Sequence, residues 1–114
     1  MSVHAPATPD VEAFAYGLLK DLGGITVWAV DAQTAWPHLS EDVTVQVDVR
    51  ASTKKRARDR AYVAKQRLLQ SPFDSAPSGV VRCEIQSGPF WLPDDDGAPR
   101  YVITSVITVR AIRG

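Results

Sequence analysis

The chain has 114 residues, the size of one domain, and 45% of them are hydrophobic, enough for a modest core. Its 13 Lys and Arg balance its 13 Asp and Glu, so the whole molecule has no net field to gather nucleic acid and its charge blocks act only locally. Cys83 is the one cysteine, which excludes an intrachain disulfide. The opening residues lack a signal-peptide pattern, and no apolar run nears the roughly 20 residues that span a bilayer.

Residues 1–8 are small and Pro-containing, and read as a flexible tail ahead of a single domain, 9–114. Thr8 is placed as a helix N-cap, Pro9 at the first helical position, and Asp10 and Glu12 in the first turn. Val11, Phe14, Ala15, Leu18, Leu19 and Leu22 recur at helical spacing, which predicts a helix over 9–22 stopped by Gly23-Gly24. ITVWAV (25–30) reads as a strand and DAQTAWPHLSED (31–42) as a polar loop broken at Trp36-Pro37. Then Val43, Val45, Val47 and Val49 alternate with Thr44, Gln46, Asp48 and Arg50, a strand with one covered face and one polar face.

In residues 53–71 the period changes, and Ala57, Ala61, Ala64 and Leu68 form one helical stripe. Thr53 is a candidate cap, and the helix is expected to end at Ser71-Pro72, because a residue before proline avoids helical angles. GVVRCEIQ (79–86) alternates again, with Val81, Cys83 and Ile85 on one face. The last strand, 101–112, is apolar on both sides. Tyr101, Ile103, Ile107, Val109 and Ala111 are assigned to the core, and Val102, Val106 and Ile112, interleaved with Thr104 and Thr108, face outward. The order α-β-β-α-β-β predicts an α+β two-layer domain: a four-stranded, mainly antiparallel sheet with two helices on one face. Two helices cover only that face, so the outward apolar stripe points to a partner.

Three stretches invite a chemical reading. FWLPDDDGAPRY (90–101) carries Asp94, Asp95 and Asp96, but contiguous aspartates lack the alternating ligand spacing of a calcium loop, and no acid follows them. A hairpin tip with Asp-Gly in the turn fits better, with Phe90 and Trp91 at its base either folded on the sheet or facing a partner. The helix over 53–71 holds Lys54, Lys55, Arg56, Arg58, Arg60, Lys65 and Arg67. Such a helix suits phosphate contact, an acidic protein surface or plain solvent, and no stacking aromatics or recognition-helix architecture accompany it. For catalysis, Cys83 falls on the core alternation, while His4 and His38 have no partner spacing for a triad or a zinc site. No nucleophile elbow or phosphate loop occurs either, so a non-enzyme without metal or cofactor is expected.

The helix DVEAFAYGLLKDL, the strand–helix unit TVQVDVRASTKKRARDRAYVAKQRLLQ and the closing GPFWLPDDDGAPRYVITSVITVRA together resemble the small tail terminator proteins of long-tailed bacteriophages, over roughly residues 9–112. That resemblance implies a structural protein that forms a ring, usually a hexamer, on the last ring of the tail tube. Such a ring ends tube polymerisation and presents the joining surface for the head connector, while genomic DNA passes through its opening without sequence-specific binding. It implies assembly in the host cytoplasm and residence at the head-proximal end of the virion tail, with no membrane. A closed ring needs heterologous contacts. The expected interface is Trp91, Asp94, Asp95, Asp96 and Arg100 with the stripe Val102, Val106 and Ile112, facing the charged helix residues Lys54, Lys55, Arg56, Arg58 and Arg60. A head–tail neck adaptor and a small DNA-binding regulator using the basic helix are the alternatives.

Overall fold

Period-two valines and a small-residue helical stripe can satisfy each other only by packing face to face, and the computed structural model has this arrangement. It describes residues 10–35, 40–74 and 79–110. In chain order these form α1 (Val11–Leu19) with a 3-10 turn Lys20–Leu22, β1 (Ile25–Ala35), β2 (Ser40–Arg50), α2 (Lys54–Asp74), β3 (Val80–Trp91) and β4 (Arg100–Arg110). The sheet order is β1-β2-β4-β3 and every neighbouring pair is antiparallel. Both helices lie on one face, so the chain is the two-layer α+β domain that the patterning predicts. Val11, Ala15 and Leu19 of α1 and Ala57, Ala61, Ala64 and Leu68 of α2 share one core with Val43, Val45, Val47, Val49, Ile103, Ile107 and Val109. The alanines leave α2 no bulk on this stripe, which lets its axis approach the sheet closely. No helix among the described residues is long and apolar enough to cross a membrane.

The element ends differ from the sequence reading for local reasons. Asp10, rather than Thr8, caps α1 by accepting the Ala13 N–H at 3.0 Å. β1 and β2 are each longer than predicted, because Asp31–Ala35 pairs in register with Ser40–Thr44 and prolongs the ladder beyond the apolar core. α2 runs on through Pro72. A proline there removes the N–H that would bond the Leu68 carbonyl, and the Ser71 hydroxyl donates to that oxygen instead at 2.6 Å. On β3 the register shifts between Val80 and Arg82 and again beyond Ile85. The alternation therefore slips: Val80 is buried and Val81 is exposed, the reverse of the sequence assignment. The tail 1–8, the Trp36-Pro37 loop, Ala111 and Ile112 lie outside the described residues.

Side-chain ties bolt α2 to the rest of the fold. Arg67 grips Asp21 with both guanidinium nitrogens, the longer contact being 3.1 Å, and also donates to the Leu18 carbonyl. That bond keeps the Asp21 carboxyl below its ordinary pKa. Arg60 donates to the carbonyls of Arg50 at 2.7 Å and Gly23 at 3.2 Å. Gly24, at φ +66°, sits so near β2 that a Cβ would lie 2.2 Å from the Arg50 carbonyl oxygen. Gly23-Gly24 thus does more than stop a helix: it admits a backbone-to-backbone contact that no side chain would allow.

Candidate interaction surface

The hairpin FWLPDDDGAPRY forms as its sequence predicts. Gly97 at φ +84° donates its N–H to the Asp94 carbonyl at 2.7 Å, and Asp94 N–H bonds the Ala98 carbonyl. Asp96 accepts the Ala98 N–H at 3.0 Å, which spends that carboxylate on the turn itself. Asp95 stands exposed, and no contact of its side chain is seen among the described residues.

Asp94 turns back onto its own sheet rather than outward. Arg50 meets it with two nitrogens, at 2.7 and 3.2 Å, and Arg100 Nε lies 3.3 Å away. Arg100 also donates to Asp48 at 2.7 Å and to the Leu92 carbonyl at 2.8 Å. Asp48 is fully buried, with the Gln46 amide as a further donor at 3.1 Å. These four charges close a network on the helix-free face. The hydrogen bond from Arg50 holds the Asp94 carboxyl below the usual carboxylate range, helped by the Arg100 charge, and Asp94 in turn raises Arg50.

Several residues expected at a subunit interface are therefore committed within the chain. Asp94 is ion-paired to Arg50 and Arg100, and Arg100 also to Asp48. Val102 is 2% exposed, although it lies on the helix-free face. Its register neighbours are Asp48 and Phe90, and Arg100 reaches diagonally past it to Asp48. Val106 is half-buried between Thr44 and Glu84 in register. The face is thus polar around Asp48, Arg50 and Arg100, and of the expected outward stripe Val102 is covered and Val106 only partly accessible. Trp91 pairs with Tyr101, which faces the helices, so it lies on the opposite side of the sheet from Val102.

Around Trp91 the character changes. Its ring is tilted against Tyr101 at 5.5 Å between centroids, and Lys54 Nζ stands 4.6 Å above it. Phe90, Trp91 and Leu92 are consecutive and 43%, 38% and 43% exposed. Beside Trp91 begins α2, where Lys65 stands apart, 5.9 Å over the Tyr62 ring, and the other six cations divide into two sets. Arg60 and Arg67 are held by the fold, which removes Arg60 from the expected contact residues. Lys54, Lys55, Arg56 and Arg58 are exposed, and among the described residues only Lys55 of these has an acid partner, Asp59 at 2.9 Å.

Among the described residues no group of three or more His, Cys, Asp or Glu could hold a metal ion. Cys83 is buried, and that burial, with Glu84 beside it, pushes its thiol up to about 11, so it stays protonated and unreactive at neutral pH. Sequence reasoning missed Asp48, Arg50 and Tyr101 as members of this end of the molecule. The one available signal was an acid set among the valines of TVQVDVR, where a lone charge requires a partner. No family model matches this chain, and no curated protein matches it in sequence.

Proposed function

We propose that this chain is a structural tail-terminator-type protein that assembles with copies of itself into a ring, hexameric as the resemblance implies. The ring would cap a phage tail tube, end its polymerisation and offer the joining surface for the head connector, with DNA passing through the lumen unread. The observation that supports this reading best is the end of the sheet at Phe90–Trp91–Leu92. Exposed Trp91, on the helix side, borders a cluster of exposed cations on a chain of zero net charge, while exposed Phe90, paired with Val102, lies on the opposite face. An apolar centre with a charged rim is the composition of a protein contact. Burial of a few hundred Å² there, at roughly 25 cal/mol per Å², supplies adhesion, while exposed charge pairs of about 0–1 kcal/mol set register.

Light scattering behind size-exclusion chromatography, with and without purified tail-tube protein, tests the reading. A ring-sized species alone or only with tube protein supports it. A monomer indifferent to tube protein sinks it, and capture by the connector alone would move the chain to the neck-adaptor role. Binding to free DNA that collapses with added salt would favour the regulator reading. Trp91→Ala is expected to weaken assembly by about tenfold or more, as truncation of a central aromatic anchor does, with the far-UV spectrum and thermal midpoint of the monomer nearly unchanged.

A further inference from the structure

The first turns of α2 are built against their own electrostatics. A helix N-terminus carries about half a positive charge and favours acids, yet α2 has none in its first turn, and Lys54, Lys55, Arg56 and Arg58 crowd it. Lys54, Lys55 and Arg58 line a recess of about 540 Å³ whose floor is Tyr101. Tyr101 is 7% exposed, and its hydroxyl has no hydrogen-bond partner among the described residues. A phenol hydroxyl both donates and accepts, so this one has hydrogen-bonding capacity to offer a ligand in the recess. Two independent features, a cation cluster whose one acid partner among the described residues is Asp59 on Lys55 and an unpartnered Tyr101 hydroxyl, thus converge on one recess.

We propose that this recess is a binding site for a carboxylate of an acidic polypeptide segment, with Lys54, Lys55 and Arg58 as the cationic wall and the Tyr101 hydroxyl as the buried donor. An oxyanion there satisfies both features at once: it accepts from the phenol and neutralises charge at the helix start. Polypeptide rather than nucleic acid is favoured by the shape of the charge. Tracking a phosphate backbone needs cations spread along a groove, but Arg60 and Arg67, further along the same helix, are tied to carbonyls and to Asp21. The cationic area is left compact, and exposed Trp91 at its edge suits an apolar side chain beside the acid. The proposal does not depend on ring formation.

Nuclear magnetic resonance titration of the full chain tests it, with a blocked hexaglutamate peptide, inorganic phosphate and a short oligothymidylate as probes. Hexaglutamate is expected to shift the amide signals of Lys54, Lys55, Arg58 and Tyr101. Tyr101→Phe, which removes only the hydroxyl, and Arg58→Gln should each weaken it by about tenfold, the size of one charge-assisted hydrogen bond. Arg82→Gln on β3 serves as the control and should change nothing. Hexaglutamate binding that is indifferent to both Tyr101→Phe and Arg58→Gln overturns the site, as does no binding at all. Tighter binding of the oligothymidylate than of the peptide overturns the choice of ligand.

Discussion

On the helix-free face Asp48, Arg50, Asp94 and Arg100 close a network in which each charge meets at least one opposite charge. On the helix side of the same end, Lys54, Lys55, Arg56 and Arg58 crowd together, and Asp59 is the one acid paired with any of them among the described residues. The sequence shows both groups as dense charge. What separates them is where the counter-charge comes from. The first group draws it from two different strands and a hairpin, so its members are locked to the tertiary structure. The second is local to one helix and is left open to whatever comes from outside. A charged residue therefore marks a surface for partners only when the fold has not already answered it.

The sharpest way to break this comparison is to remove the centre of the closed network. Asp48→Ala leaves two guanidinium groups against the sheet with half their counter-charge gone, and should cost about 3 kcal/mol of unfolding free energy, at the low end for a broken buried pair because Arg50 and Arg100 keep some solvent. Urea denaturation measures it. Replacing Asp48 and Arg100 together by Leu and Met should recover much of that loss, since apolar side chains of similar volume need no counter-charge. If the double variant is as unstable as the single one, the site is held by packing rather than by charge.

The element order and the covered faces were legible because their signals are local. The valines at 43, 45, 47 and 49 and the alanines at 57, 61 and 64 each carry their period within a few residues, and the fold buries all of them. What stayed hidden depends on distant or compensating residues. The partner that buries Asp48 lies 52 positions away, and with it goes the covering of Val102. The first bulge of β3 breaks the alternation with no proline or glycine inside Val80–Arg82 to announce it. Pro72 signals a helix end by the ordinary rule, and only the Ser71 hydroxyl, aimed back at Leu68, accounts for the continuation. At the candidate surface, the hairpin and the basic helix were legible as features. Which of their charges were already spent was not, because ion pairing between strands has no sequence period.

A second test separates ionic from merely polar character within the closed network. Arg50 and Arg100 depress the Asp94 pKa in the folded chain, below an unfolded value of about 3.9. A depressed carboxylate contributes stability that is complete above the unfolded value and is lost as pH falls through the folded one. Asp94→Asn should therefore lie below the parent chain in urea midpoint at neutral pH, with the gap closing as the pH drops below about 4. Asp21 keeps a pH dependence of the same sign in both proteins, so the acid limb becomes shallower rather than flat. A gap that persists unchanged into acid would mean that the contact does not depend on the carboxylate charge.

The smallest expected effect has the opposite sign, and it sharpens the comparison from the open group. Thr53 already accepts the Arg56 N–H at 3.1 Å, so the two residues stand at the N-cap and third positions of α2. An acid at the third position would complete a reciprocal capping box and oppose the positive end of the helix. Arg56→Glu should accordingly stabilise the isolated chain by about 0.3–1 kcal/mol, read as a rise in thermal midpoint at low salt that shrinks as salt screens the charge. In the closed network any loss of charge destabilises, whereas here the native charge itself is the unfavourable choice for a lone helix. A basic first turn that the monomer would be more stable without is explained if an acidic partner meets it. If Arg56→Glu instead destabilises the chain, the cations of this turn support the fold in a way the observed contacts do not account for, and the argument from their placement loses its force.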